Sequence, residues 1–194
     1  AKRGKTGRDG AGVPTVAPPN KKKKKARRYK QDVIPYVSQL VKDPSPQVRR
    51  ECAIALHHNK SPEAPALWVT LADQYDGKDR WYLEALGIGM DEQEQKFLTA
   101  WLKQAGDHWN TPVGRDLIWR SKIPLAVPYL VKIIEDPKTE LDTLPRYFRA
   151  LDFIPGTEKN RAVAELALIK EPQNKKTRDL YHRGSNFPHI FFFF

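Results

Sequence analysis

A segment of the chain recurs along its length, and this recurrence limits the possible folds more than any other feature. Residues 34–37, Ile-Pro-Tyr-Val, correspond to residues 127–130, Val-Pro-Tyr-Leu, 93 positions later. In both copies an Asp-Pro pair begins eight residues after the proline, at Asp43 and at Asp136. A further copy, residues 64–67, follows the first at a distance of 30 residues. A period of about thirty residues made of helix pairs is typical of an α-solenoid.

Apolar side chains at helical spacing predict the two helices of each copy. The expected class is all-α, with an α-solenoid of about four helix pairs plus one extra helix. Because the array ends on a helix without an evident partner, we expect a piece of a longer solenoid. The predicted pairs are 32–42 with 46–58, 62–74 with 78–90, a degenerate pair 91–104 with 112–122, and 123–135 with 141–154; the extra helix is 157–170.

Particular residues predict how these helices begin, turn and pack. Thr111 followed by Pro112 is typical of an N-cap and the first helical position. Gly77 lies in the turn of the second pair, where we expect a backbone angle that other residues resist. Gly87 and Gly89 weaken the last turn of their helix, and we expect them to allow the close approach of the next helix.

The positive charge of the chain lies almost entirely at one end. The net charge is +11, and residues 1–30 hold twelve Lys or Arg against one Asp, so they account for all of it. The other 164 residues hold 22 basic and 22 acidic side chains. We therefore predict a disordered basic tail or linker at 1–30, the solenoid at 31–170, and a C-terminal tail, also disordered, at 171–194. An alternative for the basic N-terminal tail is a nonspecific contact with phosphate or anionic lipid.

The sequence contains no motif for several common kinds of catalytic or metal-binding chemistry. Cys52 is the one cysteine, so no intramolecular disulfide and no CxxC metal or haem motif exists, and we expect it in the core. Adjacent residues such as His57 and His58 point about 100° apart on a helix, so they cannot chelate one ion together. No phosphate-binding loop, nucleophile motif or apolar run of membrane-spanning length is present. The sequence predicts no catalytic, cofactor or metal residue in this chain.

Tryptophan and arginine side chains on the second helices of the pairs are the candidate binding residues. Aromatic and Arg side chains often dominate protein interfaces. Two interpretations stay open: the side chains form an exposed binding face, or most of the Trp fill seams between helices and the Arg pair with nearby carboxylates. The candidate face consists of Arg50, Arg80, Trp81, Arg115 and Trp119.

The pattern from Pro35 to Leu56, Pro-x4-Leu-Val-x-Asp-x4-Val-Arg-x5-Ala-Leu, resembles the HEAT repeat. The resemblance covers about 32–170 and implies an α-solenoid of HEAT-like pairs whose second helices usually line a concave face. In that family a turn Asp and a second-helix Arg brace neighbouring repeats, and Asp43 and Arg49 match these positions. The second repeat keeps Asp73, but Asp79 replaces the Arg. HEAT arrays serve many functions, so the resemblance concerns the fold.

Residues 75–89, with 115–120 and 149–156, resemble the HEAT segment of planctomycete and verrucomicrobial membrane-bound dehydrogenase-like proteins. Those proteins place a sugar-dehydrogenase-like propeller before this segment and a c-type haem domain with CxxCH after it. The resemblance implies an extracytoplasmic setting and a non-catalytic scaffold that contacts neighbouring domains or a protein partner. The chain contains neither the propeller nor CxxCH, so no catalytic or haem residue carries over.

Two other functions remain alternatives. HEAT-like DNA glycosylases use Trp and a carboxylate in a basic groove, so exposed Trp beside Asp79 or Asp116 would favour a nucleic-acid-binding protein of that kind. The balanced charge of residues 31–194 argues against it, because duplex binding relies on contacts between Lys or Arg and phosphate. Arg side chains paired between repeats would favour the scaffold. A peptide-binding adaptor would require a long apolar groove.

Overall fold

The computed structural model describes residues 32–167, which form α-helices, short 3₁₀ turns and connecting loops without any strand. The all-α prediction is confirmed. The predictions for residues 1–30 and 171–194 lie outside the described part of the chain. The helices are α1 (Ile34–Leu40), α2 (Pro46–Ala55), α3 (Ala64–Ala72), α4 (Arg80–Met90), α5 (Glu94–Ala105), α6 (Pro112–Ser121), α7 (Val127–Glu135), α8 (Leu144–Asp152) and α9 (Thr157–Ala167). The 3₁₀ turns are Gly106–Trp109 and Pro124–Ala126.

Proline marks where most of these helices begin. It stands at the first or second helical position of α1, α2, α3, α6, α7 and α8, where its missing N–H costs no helical hydrogen bond. The predicted N-cap of α6 is confirmed, because Thr111 Oγ1 accepts the N–H of Gly114 at 3.0 Å. Each predicted helix is present, and most are a few residues shorter than predicted.

Helices that are two apart in sequence pack against each other, except that α5 and α7 make little contact. In one row α3 contacts α1 and α5, and α7 contacts α9. In the other row, which we call the even row, α2 contacts α4, α4 contacts α6, and α6 contacts α8. Most consecutive helices also touch, so each pair packs against the next pair. The last helix, α9, which has no partner evident in the sequence, packs against α7 and buries Ala162 and Leu166.

The core lies between the two rows and is centred on aromatic side chains of the middle helices. Trp68 on α3 is fully buried, its indole Nε1–H donates to the carbonyl of Leu86 at 2.9 Å, and its ring meets that of Phe97 edge to face. Cys52 is buried on α2, as predicted, and this burial raises the pKa of its thiol.

Glycine allows two close approaches around α4, but they involve α2 and a side chain of α6 and not the next helix, α5, which the sequence predicts. A Cβ added to Gly89 would lie 2.2 Å from the carbonyl oxygen of Ala53 on α2, so the two backbones are almost in contact. A Cβ added to Gly87 would lie 2.2 Å from the Arg120 guanidinium, which is the mobile end of a side chain. Gly77 has a φ of +77°, the left-handed conformation predicted for this turn.

Candidate functional site

The five candidate residues lie on three helices of the even row, but they do not form one surface. Arg80 and Trp119 line the same cleft. Trp81 is adjacent to Arg80 on α4 and is 71% exposed. Arg50 on α2 is directed towards the start of α4, where it pairs with Asp79 at 3.2 Å.

Arg115 belongs to a different part of the fold. Its guanidinium bonds Asp136 and Thr139, which follow α7, and also Asn110 before α6. The side chain is therefore already bound by three partners and is mostly buried. Arg115 holds the loop after α7 against α6 and does not contribute to the cleft.

The cleft lies where the loop before α4 meets α4, α6 and α8, and it has a volume of about 290 Å³. Its lining combines apolar and aromatic side chains with charged ones. This volume is just below the range for pockets that bind small ligands, which starts at ~300 Å³. The lining residues are Tyr75, Gly77, Lys78, Arg80, Leu83, Glu84, Asp116, Trp119 and Arg146.

A hydrogen-bonded carboxylate organises one wall of the cleft. Asp116 Oδ2 accepts the hydroxyl of Tyr75 at 3.0 Å, and Asp116 Oδ1 pairs with Arg146 Nη2 at 2.7 Å. Burial first, and then the negative charge of Asp116, raise the pKa of Tyr75, so its hydroxyl remains a donor at neutral pH. Arg146 also lies over the Trp119 ring, 4.1 Å from its centroid. Asp116 therefore has a partner on each oxygen, and its charge is balanced by Arg146.

Ion pairs join every adjacent pair of helices in the even row. Arg50 on α2 pairs with Asp79 at the start of α4, where Asp79 also caps the helix by accepting the N–H of Tyr82. Glu84 on α4 pairs with Arg120 on α6 at 3.0 Å. The third pair is that between Asp116 on α6 and Arg146 on α8. We call these three pairs the ion-pair ladder.

Two cations at the cleft, Lys78 and Arg80, are exposed and have no ion-pair partner among residues 32–167. Asp76 lies in the same turn, but its Oδ1 accepts the backbone N–H groups of Lys78 and Asp79. These two hydrogen bonds lower the pKa of Asp76. The charge of Lys78 adds a smaller contribution to this lowered pKa, but Lys78 and Arg80 form no ion pair within residues 32–167.

The Arg and Asp that match the bracing positions of the HEAT repeat have other partners. Arg49 donates to the backbone carbonyls of Asp43 and Pro44, so it fastens the turn of its own pair. Asp43 accepts the N–H of Ser45 in that turn. Arg50 joins this pair to the next one through Asp79. Arg49 also contacts the next pair, because its guanidinium lies over the ring of Tyr82 on α4, 5.7 Å from the ring centroid.

The two adjacent histidines are closer than helical geometry predicts. Because α2 ends at Ala55 and His58 has a φ of +58°, the imidazole rings of His57 and His58 lie against each other at a tilt of 30°, with centroids 3.6 Å apart. Each ring faces its own carboxylate, on Asp91 and Glu92 respectively. No group of three or more His, Cys, Asp or Glu side chains in 32–167 is placed to hold a metal ion.

Sequence reasoning missed Arg146, which completes the cleft. A signal for it exists, since Arg146 precedes Ala150 of an Ala-Leu pair by four residues, as Trp81 precedes Ala85. Residues at this position fall on the same face of their helices. The sequence does not show that Arg146 would pair with Asp116, because that contact depends on the distance between α6 and α8.

We expect the loop around Asp136 to make stability depend on pH. Hydrogen bonds from the backbone of Lys138 and from Asn110, together with the Arg115 charge, lower the pKa of Asp136. This carboxylate therefore contributes stability above its ordinary pKa of about 4, and the contribution is lost as the pH falls through its lowered value. Asp136→Asn should lower the free energy of unfolding by about 1–2 kcal/mol at pH 7, because a charged hydrogen bond is lost. Equilibrium unfolding in urea measures this change.

The difference between the Asp136→Asn variant and the parent should shrink steadily as the pH is lowered below about 4. Asp107→Asn, which changes an exposed carboxylate, serves as the control and should show little difference at any pH. If the difference in unfolding free energy between Asp136→Asn and the parent stayed constant down to pH 2, the result would contradict an ion pair at this position.

None of the helices within residues 32–167 has the length and apolar character needed to cross a membrane. Comparison of the chain with protein-family models, with curated proteins and with solved structures finds no match.

Proposed function

We propose that the chain is a HEAT-like α-solenoid that acts as a non-catalytic scaffold for protein interactions. Support for the solenoid comes from the packing of helices two apart in sequence, seen for every such pair except α5 with α7, because stacked helix pairs bury a core in this way. On this proposal the pairs are α1 with α2, α3 with α4, α5 with α6, and α7 with α8. The helix α9 then begins a further pair.

The ion-pair ladder is the observation that carries the scaffold function. A catalytic or phosphate-binding face needs charged groups that are free to meet a substrate. Here Arg50, Arg120 and Arg146 are paired with carboxylates of neighbouring helices. Their charges fix the relative positions of successive helix pairs, which is what a rigid scaffold requires.

The resemblance to dehydrogenase-like proteins extends this proposal. On that basis the chain is the HEAT segment of a larger extracytoplasmic oxidoreductase-like protein, and the partners include its neighbouring domains. The sequence of the encoding DNA on both sides of the segment tests this part. An in-frame propeller upstream and a CxxCH domain downstream are the expected result; a start codon next to Ala1 and a stop codon after Phe194 would refute it.

A nucleic-acid-binding function is the second candidate, favoured by Asp116 and Trp119 lying together in the cleft. Two observations weigh against it. Both oxygens of Asp116 are occupied, by Tyr75 and Arg146. Residues 32–167 contain 17 Lys or Arg and 20 Asp or Glu, a net charge of −3, which repels a polyanion.

Measurements of DNA binding and base release separate the two candidates. The full chain and its Asp116→Asn and Trp119→Ala variants are incubated with duplex DNA, with and without an alkylated base, at several salt concentrations. If the scaffold proposal is right, binding is weak, depends on salt through residues 1–30, and is the same in all three proteins. Base release that is lost in Asp116→Asn, with the far-UV circular dichroism unchanged, would refute the scaffold proposal.

A further inference from the structure

The cleft contains more positive charge than the fold needs. The guanidinium groups of Arg120 and Arg146 are neutralised within the ion-pair ladder, whereas the Lys78 ammonium and the Arg80 guanidinium are exposed and form no ion pair within residues 32–167. Both cations lie at the start of α4, the end of a helix where positive charge is electrostatically unfavourable. Stability therefore does not account for their position.

The surface beside these cations is apolar. Trp81 is the next residue after Arg80 and is 71% exposed, and Ile88 lies seven residues further along α4, two helical turns away on the same face, and is 40% exposed. Exposed Trp and Arg side chains next to each other are typical of sites where a protein partner binds. A bound segment with a negative charge followed by an apolar group would match both the two cations and the exposed apolar side chains of α4.

The size and charge of the site indicate a short peptide. A cleft of about 290 Å³ holds one or two side chains and not a nucleic-acid strand. Glu84 and Asp116 also line it, and the net charge of residues 32–167 is −3 from 17 basic and 20 acidic side chains. Two free cations in such surroundings attract one or two carboxylates but do not form the continuous basic track that a polyanion needs.

The remaining segments of the same chain do not fit this site. Residues 1–30 contain twelve basic side chains and one acidic, and residues 168–194 contain five basic and two acidic. Both segments would bring further positive charge to Lys78 and Arg80. Charge complementarity therefore points to a separate acidic segment.

We propose that the cleft binds an acidic peptide segment of a protein partner, in which an Asp or Glu is followed by an aromatic or aliphatic residue. The carboxylate pairs with Arg80 and Lys78, and the apolar side chain packs on Trp81 beside the cleft. Trp119, over whose ring Arg146 lies, also lines the cleft. This inference rests on the proposed scaffold function and specifies the chemistry of its partner.

The test follows the indole Nε1–H signals of the full, ¹⁵N-labelled chain by NMR, assigned with single Trp→Phe variants. The probe is a peptide containing Asp-Phe-Asp-Phe-Asp between Gly-Ser ends, and its matched control has Asn in place of each Asp. We expect the peptide to shift the signals of Trp81 and Trp119 and to leave that of the buried Trp68 unmoved. The Asn peptide should bind about tenfold more weakly, since it lacks the charged hydrogen bonds that the Asp side chains make to Arg80 and Lys78.

Matched variants separate the cleft from the basic residues of the tail. Lys78→Gln with Arg80→Gln removes two exposed charges at the cleft and should weaken peptide binding about tenfold or more. Lys96→Gln with Lys103→Gln removes two exposed charges from α5 and should leave the affinity unchanged. Peptide binding that is equal in both double variants, or that moves neither Trp81 nor Trp119, would overturn the inference.

A twelve-residue oligothymidylate is titrated in parallel. Stronger shifts of Trp119 with this oligonucleotide than with the acidic peptide would overturn both the peptide inference and the scaffold function. Failure of the peptide with no response to the oligonucleotide and no base release would overturn the inference alone. The scaffold function would then still stand on the DNA measurements described above.

Discussion

Gly89→Ala should destabilise the protein by about 2–3 kcal/mol, because the added methyl group has no space. The Cβ would lie 2.2 Å from the carbonyl oxygen of Ala53 and 3.0 Å from its carbonyl carbon. These are backbone atoms of α2, so the clash can be relieved only by moving α2 away from α4. That movement would open the core between the helices and stretch the Arg50–Asp79 ion pair.

Gly87→Ala is the matched control for this prediction. The two glycines lie two residues apart on the same helix, and alanine improves helix propensity by about 1 kcal/mol at both. At Gly87, however, the added methyl group meets only the Arg120 guanidinium, which can move. Its displacement loosens the Glu84–Arg120 pair, a partly exposed interaction worth at most about 1 kcal/mol, so the net change should be close to zero.

Equilibrium unfolding in urea, followed by far-UV circular dichroism, measures both variants. The expected result is a clearly lower midpoint for Gly89→Ala at an unchanged slope, and a midpoint for Gly87→Ala near that of the parent. Equal effects of the two substitutions would mean that α2 and α4 are not in backbone contact at Gly89.

Trp68→Ala should have the largest effect of any single substitution considered, a loss of about 3–5 kcal/mol. The side chain is fully buried between the two rows, packs edge to face on Phe97 and donates to the carbonyl of Leu86. Alanine would leave a cavity, and the carbonyl of Leu86 would lose the hydrogen bond that it accepts from the indole N–H. Since domains are stable by only about 5–15 kcal/mol, a large fraction of the variant could be unfolded at 37 °C.

Two further variants separate packing from hydrogen bonding at this position. Trp68→Phe keeps most of the aromatic volume and loses the indole N–H, so we expect a cost of about 1–2 kcal/mol. Trp81→Ala removes the same side chain from an exposed position, 71% accessible, and should change stability by less than about 0.5 kcal/mol. A cost for Trp81→Ala comparable to that for Trp68→Ala would show that α4 is rotated relative to the described fold.

The contrast between these two tryptophans shows which parts of the site can be predicted from sequence. Both lie on helices of the predicted pairs, but Trp68 is flanked by the apolar residues Leu67 and Val69, whereas Trp81 stands between Arg80 and Tyr82. Tyr82 and Leu83 face the core. The spacing of apolar residues along α4 therefore favours a solvent-exposed position for Trp81. Periodicity is a property of one helix, so a single sequence contains it in full.

The arginines could not be assigned in the same way. Arg50 and Arg80 occupy the same repeat position, 30 residues apart, yet Arg50 is paired with Asp79 and Arg80 is exposed without a partner within 32–167. Arg115, predicted to share a face with them, bonds Asp136 and Thr139 instead. Which carboxylate an Arg meets depends on how far apart neighbouring helices lie and how they are rotated, and side-chain spacing along one helix does not contain that information.

The sequence by itself determined the all-helical class, the positions of the helices and the glycines at close contacts. Each of these follows from local chemistry: apolar spacing, proline at helix starts, and the steric freedom of glycine. Only the tertiary structure decided which charges are neutralised by partners and which remain free at the cleft. Ion pairs between helices form over a few ångströms between residues about 30 positions apart, so they exist only once the helices have packed.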